Sequence, residues 1–573
     1  MRERLSDYAV LMLVVGLVSL PGLGSYSLWD VDEGVNAEAA REMAEADSWI
    51  VPTFNYQLRT AKPVLLYWLQ RLSYAVGGVS EWWARGPSVL CGLGAVLLCY
   101  ELGRRLWDRA SGLWAGVILG SAVQFVILSR AATPDAPLLL FTVLTFLAFW
   151  WGQEQKRRAW WHPVAMACGL AVLTKGPIGV ALPGMVILLY FLWQREGYRL
   201  LDGRLLSAAG LFLLVAGPWY ALVASETRGE WIKAFLGREN LERFARPMEG
   251  HGGPVFYYAL ILPIFFLPWS VWLVPVLEHA CRQAVRRSRR SLAVTEAGGR
   301  REAEDPRPYR FLGCWLGVYL LVFSVAATKL PNYIFPLYPA LALLTGRFMV
   351  RWQRQEVHLA GWVVPTALGL LAAVGLTTGI GLLLGEGWYR GLGQWCWLGL
   401  ILVGGATAGW RAWQRGEEAT LRWRVAGAGI AFVAATAAVL PVTLDRHRAP
   451  KVLVAASGIS DPQRDSRVAT YRWFAPSLVF YSGREVAHLP DVAAVRRFLE
   501  TPTPAYLFLP APAAEEASLR EVLAPHPCLA RHYDLLARCD ILVLANSAAL
   551  TASARHTPPL LLSPPADNSA PSP

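Results

Sequence analysis

Long apolar runs limit what this chain can fold into. Of its 573 residues, 54% are hydrophobic and 17% are charged, and the apolar residues are continuous rather than alternating. Such runs predict membrane-spanning helices, because a helix satisfies its own backbone hydrogen bonds in lipid. We therefore expect a mainly α, polytopic membrane bundle with about 13 spans. The expected spans are 8–24, 86–102, 112–128, 136–151, 161–174, 177–193, 206–224, 255–278, 311–327, 332–349, 359–384, 393–410 and 425–443.

The positions of arginine and lysine predict the orientation. The formal net charge is +12, but the cations cluster in short loops between apolar runs, which argues against a nucleic-acid partner. If the N-terminus is cytoplasmic, alternate loops follow the positive-inside rule and the C-terminus lies outside. The apolar stretch 64–79 contains Gln70 and Arg71, and counting it as a span would invert every later loop. We predict a juxtamembrane or re-entrant helix there.

In this topology, the unusual polar residues at helix ends share the outer face. They are Asp30, Asp32, Glu33, Lys62, Arg130, Asp135, Lys175 and Lys329. Ionisable residues near a bilayer are costly and point to a site. Simpler roles stay open: a helix cap for Glu33, snorkelling for Lys175 and a loop hydrogen bond for His251. Two long outer segments, 34–60 and 225–250, predict juxtamembrane helices at 36–46 and 231–244 that cover a cavity.

Three regions are expected along the chain. Residues 1–447 form the membrane catalytic domain, 448–546 a small outer α/β domain, and 547–573 a disordered tail rich in Ser, Pro and Ala. In the α/β domain we predict strands at 467–473, 477–481, 505–509 and 541–545, with helices at 490–500 and 514–523.

Cysteine and histidine usage gives no metal pattern. There is no CxxC motif and no His-rich cluster, so we predict neither a resident metal nor a cofactor, with a divalent ion left open. Six of the eight cysteines lie in or beside apolar helices and are expected to be packing residues. Cys528 and Cys539 both fall in the outer domain, where a disulfide between them is one of two alternatives.

Carboxylates and cations at one membrane face suit a lipid-phosphate-linked sugar as donor. Lysine or arginine can stabilise the charge that develops on a departing phosphate, and a carboxylate can deprotonate the acceptor. The lipid tail would enter from the bilayer, which explains a site at the interface.

At these residues the chain resembles the GT-C glycosyltransferases of the aminoarabinose (lipid A) transferase and protein mannosyltransferase-like superfamily. The motifs occur over 30–340 in the family's order, and together they are highly specific. They are WDVDEGVNAEAAREM at 29–43, WIVP at 49–52, AKPVLLYWL at 61–69, RAATPDA at 130–136, LTKGP at 173–177, ENLERF at 239–244, HGGPVFYY at 251–258 and KLPNYIFPLYPA at 329–340.

The resemblance implies an inverting hexosyl- or pentosyltransferase of the bacterial inner membrane. It would move a sugar from an undecaprenyl-phosphate donor to a lipid, glycan or protein acceptor, such as lipid A, at the periplasmic face. The catalytic positions of this family correspond to Asp32, Glu33 and Asp135. Its donor-phosphate positions correspond to Lys62, Arg243, Arg246 and Tyr333, and other polar site candidates are Lys175, Lys329 and His251.

The chain departs from the aminoarabinose transferase pattern at three positions. Those enzymes usually read Asp-Glu-x-Arg-Tyr and Glu-Lys-Pro, whereas Val35, Asn36 and Ala61 stand here in place of Arg, Tyr and Glu. The reaction class is retained, but the sugar and the acceptor stay open. The alternatives are a protein O-glycosyltransferase and, from another class, a lipid or sugar transporter, which would favour ionisable residues near the bilayer midplane.

Overall fold

The computed structural model describes residues 2–155, 160–248, 250–286, 293–294, 300–301, 304–459 and 465–554. Its contacts divide the chain into two units, Met1–Arg446 and His447–Pro573. The first unit is a helical bundle around one large apolar core, and the second is a small α/β unit.

In its described residues, the first unit contains helices α1–α19, two short hairpins, several 3-10 turns and a π-helical turn. The helices are α1 (Arg2–Ser19), α2 (Asp32–Glu45), α3 (Leu65–Gly77), α4 (Glu81–Leu106), α5 (Arg109–Gly120), α6 (Val123–Ser129), α7 (Asp135–Glu154), α8 (Trp161–Lys175), α9 (Ile178–Gln194), α10 (Arg204–Glu226), α11 (Glu230–Leu236), α12 (Arg243–Ala245), α13 (Tyr257–Phe265), α14 (Leu273–Val285), α15 (Arg307–Val325), α16 (Tyr338–Gln353), α17 (Val363–Gly385), α18 (Leu398–Gln414) and α19 (Glu418–Asp445). The hairpins are β1–β2 (Thr53–Phe54 with Gln57–Leu58) and β3–β4 (Ala293–Val294 with Arg300–Arg301).

Each predicted span coincides with a helix or a bent pair of helices. Within the described ranges, seven helices are long and apolar enough to cross a membrane, or up to nine if each bent pair is one span. The bent pairs are α5 with α6, at 65°, and α13 with the segment Trp269–Val285, at 115°. The chain is therefore a multi-pass membrane protein. The count of about 13 stays a prediction, because it also needs the shorter or more charged helices α1, α8, α9 and α18.

Helix α7 brings separate parts of the chain together. It packs against α4, α8 and the 3-10 segment Pro331–Leu337. Its first residue is Asp135, the last residue of α8 is Lys175, and Pro331–Leu337 includes Asn332 and Tyr333. Three polar elements thus meet at one end of the bundle.

The segment between α1 and α4 folds at this end, where α3 packs against α8. The predicted helix at 36–46 is found as α2, and the predicted juxtamembrane helix at 64–79 is α3, which is too short to count as a span. The second predicted juxtamembrane helix, at 231–244, is not continuous: α11 is followed by a π-helical turn, Gly237–Glu242, and then by α12. Trp231 and Phe235 are buried, whereas Phe244 is exposed.

The described part of the second unit is a five-stranded mixed sheet with helices. Its strands are β5 (Arg467–Tyr471), β6 (Val486–Leu489), β7 (Ala505–Pro510), β8 (Cys528–Asp534) and β9 (Cys539–Ala545), in the order β6-β5-β7-β9-β8. Strand β5 runs parallel to β6 and β7, and β9 is antiparallel to β7 and β8. The helices are α20 (Ala449–Ser457), α21 (Pro476–Ser482), α22 (Val492–Leu499), α23 (Ala511–Ala514), α24 (Ala517–Leu523) and α25 (Ser547–Ala554).

The second unit departs from the sequence prediction in two elements and decides the alternative left open for its cysteines. The predicted strand at 477–481 is helix α21, because Pro476 fixes a helical φ at the first turn. The pairing of Cys528 with Cys539 is ruled out, since Cys528 lies opposite Leu544 and Cys539 opposite Asp534 at the other end of the hairpin, and both thiols are free. The first eight residues of the predicted disordered tail form α25, and 555–573 lie outside the described residues.

Candidate active site

One backbone residue, Ala132, joins the two acidic motifs. The Ala132 amide donates a hydrogen bond to Glu33 Oε1 at 2.8 Å, and its carbonyl accepts one from Asn36 Nδ2 at 3.2 Å. Both partners belong to α2, which begins at Asp32, and Ala132 precedes Asp135 by three residues. These two hydrogen bonds of Ala132 therefore hold the first residue of α2 and the first residue of α7 at the same end of the bundle.

Both carboxylate oxygens of Glu33 accept hydrogen bonds that hold this arrangement. Arg85 donates to Oε1 at 2.8 Å and to Oε2 at 2.7 Å, and the Trp29 amide donates to Oε2 at 2.9 Å. Burial favours the neutral acid, but the Arg85 charge and these hydrogen bonds outweigh it and hold the pKa of Glu33 below its usual value. The Arg85 side chain is 0% exposed, so this is a buried, hydrogen-bonded ion pair. The geometry favours an anchoring role for Glu33 over the predicted catalytic one.

Asp32 has a different environment from Glu33. It is exposed and lines a cavity of about 540 Å³. The other walls are mostly apolar and come from α6 and the C-terminal half of α19. Arg130, also in the wall, donates to the Val18 and Pro21 carbonyls and thereby caps the end of α1.

Asp135 forms a buried ion pair with Lys175. Lys175 Nζ lies 2.6 Å from Asp135 Oδ1, and the two side chains are 9% and 4% exposed. Asn332 Nδ2 lies 3.4 Å from Asp135 Oδ2, and the Tyr333 ring centroid is 5.6 Å from Lys175 Nζ. The snorkelling role for Lys175 is therefore wrong: its charge is buried and paired with a carboxylate.

Lys62 belongs to the same cluster. Burial and, after it, repulsion by Lys175 lower the pKa of Lys62 from 10.5 to about 8, although Asp32 and Asp135 partly oppose the change. These interactions place Lys62 within electrostatic range of all three groups. Asp32 thus lines the apolar cavity and also interacts with a charged cluster, which consists of Lys62, Asp135 and Lys175.

The remaining site candidates lie on two paired segments. The Lys329 amide donates to the His251 carbonyl at 2.8 Å, and the Thr328 amide donates to the Arg243 carbonyl at 3.4 Å. Lys329 Nζ donates to the Ala326 carbonyl at 2.5 Å, which caps the end of α15. The Arg243 side chain forms an ion pair with Glu239 at 3.3 Å, and Arg246 is exposed.

Several residues of the site were not predicted from the sequence. Arg85 could have been identified from the sequence, because an arginine within an apolar helix needs a buried partner. Asn332 stands between the predicted Lys329 and Tyr333, but nothing in its local pattern indicates a contact with Asp135. In the part of the chain that the structure describes, no three His, Cys, Asp or Glu residues are grouped closely enough to hold a metal ion.

Comparison with known proteins identifies the fold and the family. The profile of the family described as dolichyl-phosphate-mannose-protein mannosyltransferase matches residues 61–221. The crystal structure of ArnT from Cupriavidus metallidurans bound to undecaprenyl phosphate superposes with a TM-score of 0.77 at 22% identity, over 95% of this chain and 98% of that one. The fold is therefore that of the GT-C glycosyltransferases.

Sequence relatives identify the family within that class. The undecaprenyl phosphate-alpha-4-amino-4-deoxy-L-arabinose arabinosyl transferase of Pseudomonas paraeruginosa is 32% identical over 62% of each chain. The protein of the same name from Pseudomonas savastanoi pv. phaseolicola is 31% identical over 65% of this chain and 68% of its own. This chain belongs to that transferase family. It spans 62% to 63% of the length of the first relatives it matches.

Proposed function

We propose that this chain transfers a sugar from an undecaprenyl-phosphate donor to an envelope acceptor such as lipid A. The observation that carries the proposal is the charged cluster: Lys175 pairs with Asp135, Lys62 interacts electrostatically with Lys175, Asp32 and Asp135, and Asp32 also lines an apolar cavity. The cations suit a phosphate, and the apolar wall suits a prenyl or acyl chain.

Each part of the cluster has a chemical role in this proposal. The Asp32 carboxylate removes the proton of the acceptor hydroxyl as its oxygen bonds to the anomeric carbon. The bond from that carbon to the phosphate oxygen breaks, and the electron pair leaves on the phosphate. Lys62 stabilises the added negative charge, with Lys175 behind it. Because attack and departure occur on opposite faces of the sugar in one displacement, the configuration inverts.

The other residues hold or extend the site. Asp135 fixes the Lys175 ammonium, and Glu33 with Arg85 fixes the start of α2, so we infer positioning roles for Asp135 and Glu33. Arg243, Arg246 and Tyr333 stay candidates for the donor phosphate on the strength of their motifs. His251 and Lys329 join segments near them.

The topology in this proposal has about 13 spans, a cytoplasmic N-terminus and the α/β unit in the periplasm. It takes 1–447 as the catalytic domain and 448–546 as an accessory domain. Lipid donors reach such a site laterally from the outer leaflet. Cysteine accessibility to a membrane-impermeant thiol reagent tests the orientation, since Cys528 in the second unit is exposed.

A protein acceptor is the second candidate. The match of residues 61–221 to the protein mannosyltransferase family favours it. Mass spectrometry of envelope lipids, glycans and proteins from a deletion strain distinguishes a lipid acceptor from a protein acceptor. In that strain the sugar would be missing from only one of these classes of molecule.

The proposal is tested by Asp32→Asn in proteoliposomes supplied with undecaprenyl-phosphate sugars. We expect transfer to fall at least about a hundredfold, as for loss of a general base. Glu45→Gln is the matched control, since Glu45 lies at the other end of α2 and is half-exposed. Turnover of Asp32→Asn equal to that of the control would refute the role of Asp32.

A further inference from the structure

An aromatic cluster on α10 and α11 joins the two segments of the site that carry lysines. It consists of four side chains, Trp219 and Tyr220 of α10 with Trp231 and Phe235 of α11. The Trp231 and Phe235 rings are stacked with their centroids 4.6 Å apart, and Trp219 meets Trp231 edge-on at 4.9 Å. Trp219, Trp231 and Phe235 are at most 3% exposed, so the aromatic cluster is a packed unit.

The two indoles of the aromatic cluster hold the segment that leads to Lys62. Trp219 Nε1 donates to the Ile50 carbonyl at 3.0 Å, and Trp231 Nε1 donates to the Arg59 carbonyl at 2.8 Å. These two carbonyls lie on either side of the β1–β2 hairpin. Because Lys62 follows Arg59 by three residues, the two hydrogen bonds fix the hairpin from which the Lys62 backbone emerges.

Arg59 extends this hold to two further helices. Its Nη2 donates to Asn36 Oδ1 at 3.1 Å, and its Nε donates to Tyr67 Oη at 2.8 Å. Asn36 belongs to α2, which begins at Asp32, and Tyr67 belongs to α3, which begins shortly after Lys62. The Trp231 indole therefore holds a residue that is bonded to both helices.

The other two rings of the aromatic cluster hold the end of α8, where Lys175 lies. Tyr220 Oη donates to the Val172 carbonyl at 3.3 Å, and the same carbonyl accepts the Gly176 amide at 2.8 Å. Gly176 has a φ of +82°, and a Cβ at this position would overlap the Phe235 ring. Contacts on both sides of Lys175 thus set the end of the helix.

The two lysine-bearing segments also meet each other. Helix α3, which begins at Leu65, packs against α8, whose last residue is Lys175. Lys175 is the charge that acts most strongly on Lys62, followed by the charges of Asp32, Asp135 and Arg59. Two ammonium groups repel each other, so their proximity depends on backbones that are held in place.

We propose that the aromatic cluster sets the separation of Lys62 and Lys175, with Trp231 and Tyr220 as positioning residues for the lysines that meet the donor phosphate. The inference rests on the proposed transferase function and adds to it how the phosphate-binding groups are kept in place. A phosphate binds best to two ammonium groups that are already close, because the fold has then overcome their repulsion before the ligand arrives. Without this support, Lys62 moves away from Lys175 and the donor binds less well.

The test removes one hydrogen bond of the aromatic cluster at a time. Trp231→Phe loses the bond to the Arg59 carbonyl and keeps an aromatic ring in the stack. Tyr220→Phe loses only the hydroxyl that bonds to Val172. Trp269→Phe is the matched control, because Trp269 is 2% exposed and its Nε1 donates at 3.0 Å to a residue at the end of α5.

The pKa of Lys62 is measured directly by trace acetylation with acetic anhydride between pH 6 and 11, followed by peptide mass spectrometry. Only the unprotonated amine reacts, and the wild type is expected to titrate at about pH 8. Trp231→Phe and Tyr220→Phe should each raise this midpoint by roughly half a unit, as when two unit charges move from about 7 to about 9 Å apart at an effective dielectric constant of about 20. Their kcat/KM for an undecaprenyl-phosphate-sugar donor should fall about three- to tenfold, mainly through KM.

The control separates positioning from general stability. A purely structural role of the aromatic cluster would lower the yield of folded protein without moving the midpoint of Lys62. Midpoints in Trp231→Phe and Tyr220→Phe that both equal the midpoint of Trp269→Phe would overturn the proposal. If Trp231→Phe does not fold, Tyr220→Phe decides alone, since it keeps the ring and loses one hydroxyl. Acetylation needs no donor, so absence of transfer by the wild type would refute the transferase function separately.

Discussion

The depressed pKa of Lys62 predicts a loss of donor use in mildly alkaline solution. Burial and the neighbouring Lys175 lower this pKa from 10.5 to about 8. Only the protonated ammonium attracts the donor phosphate, so productive encounters depend on the fraction of Lys62 that is charged in the free protein. The value of kcat/KM for the donor reports that fraction, because it reflects the ionisation of free enzyme and free donor.

The size of the effect follows from the pKa. With a pKa of about 8, roughly one tenth of Lys62 is protonated at pH 9, whereas a lysine at 10.5 would stay almost fully charged. We therefore expect kcat/KM to be level near pH 6.5, to reach half at about pH 8 and to fall about tenfold by pH 9. The midpoint for kcat should lie higher, since a bound phosphate stabilises the ammonium form.

The assay is donor-dependent release of undecaprenyl phosphate in proteoliposomes between pH 6 and 9.5. Lys62→Arg is the matched variant, because a guanidinium stays charged throughout this range. Its activity is expected to be lower but nearly independent of alkaline pH. A level wild-type profile up to pH 9.5, or the same fall in Lys62→Arg, would show that the ionisation of Lys62 does not limit donor use.

Three further predictions concern other contacts. Arg85→Met should lower the free energy of unfolding by about 3–5 kcal/mol, because it leaves Glu33 buried without its partner, and adding Glu33→Gln should recover part of the loss in a thermal-stability assay. Asn332→Ala should reduce kcat about two- to fivefold with little change in donor KM, as expected for one weak hydrogen bond to Asp135, and unchanged kcat would contradict that role. Alkylation under non-reducing conditions should label both Cys528 and Cys539 in the unfolded protein, and an intact mass two hydrogens lighter would reveal a disulfide that this fold does not allow.

Sequence periodicity and charge predict the helices and strands better than they predict the contacts between them. The apolar runs locate the helices expected to span the membrane, and the motifs place Asp32, Lys62 and Asp135 on one face. The partners of Glu33 could not be predicted, because Arg85 is 52 residues away and no local pattern pairs them. The same limit applies to Arg59, whose neighbours come from α2 and α3.

Local signals also fail where tertiary packing or turn chemistry overrides them. The run at 477–481 has strand-like composition, yet Pro476 begins a helix there. The amphipathic pattern at 231–244 is broken by a π-helical turn, and its two ends have opposite exposure, with Trp231 buried and Phe244 exposed.

The shared use of Asn36 has a consequence for how this site can change over time. One end of the amide holds the Ala132 carbonyl and so sets the separation of the two acidic helix starts, while the other end holds Arg59. A substitution at position 36 therefore alters the placement of the acidic residues and the orientation of Arg59 together. Mutations at positions 36 and 59 should be strongly epistatic, because the two side chains are in direct contact.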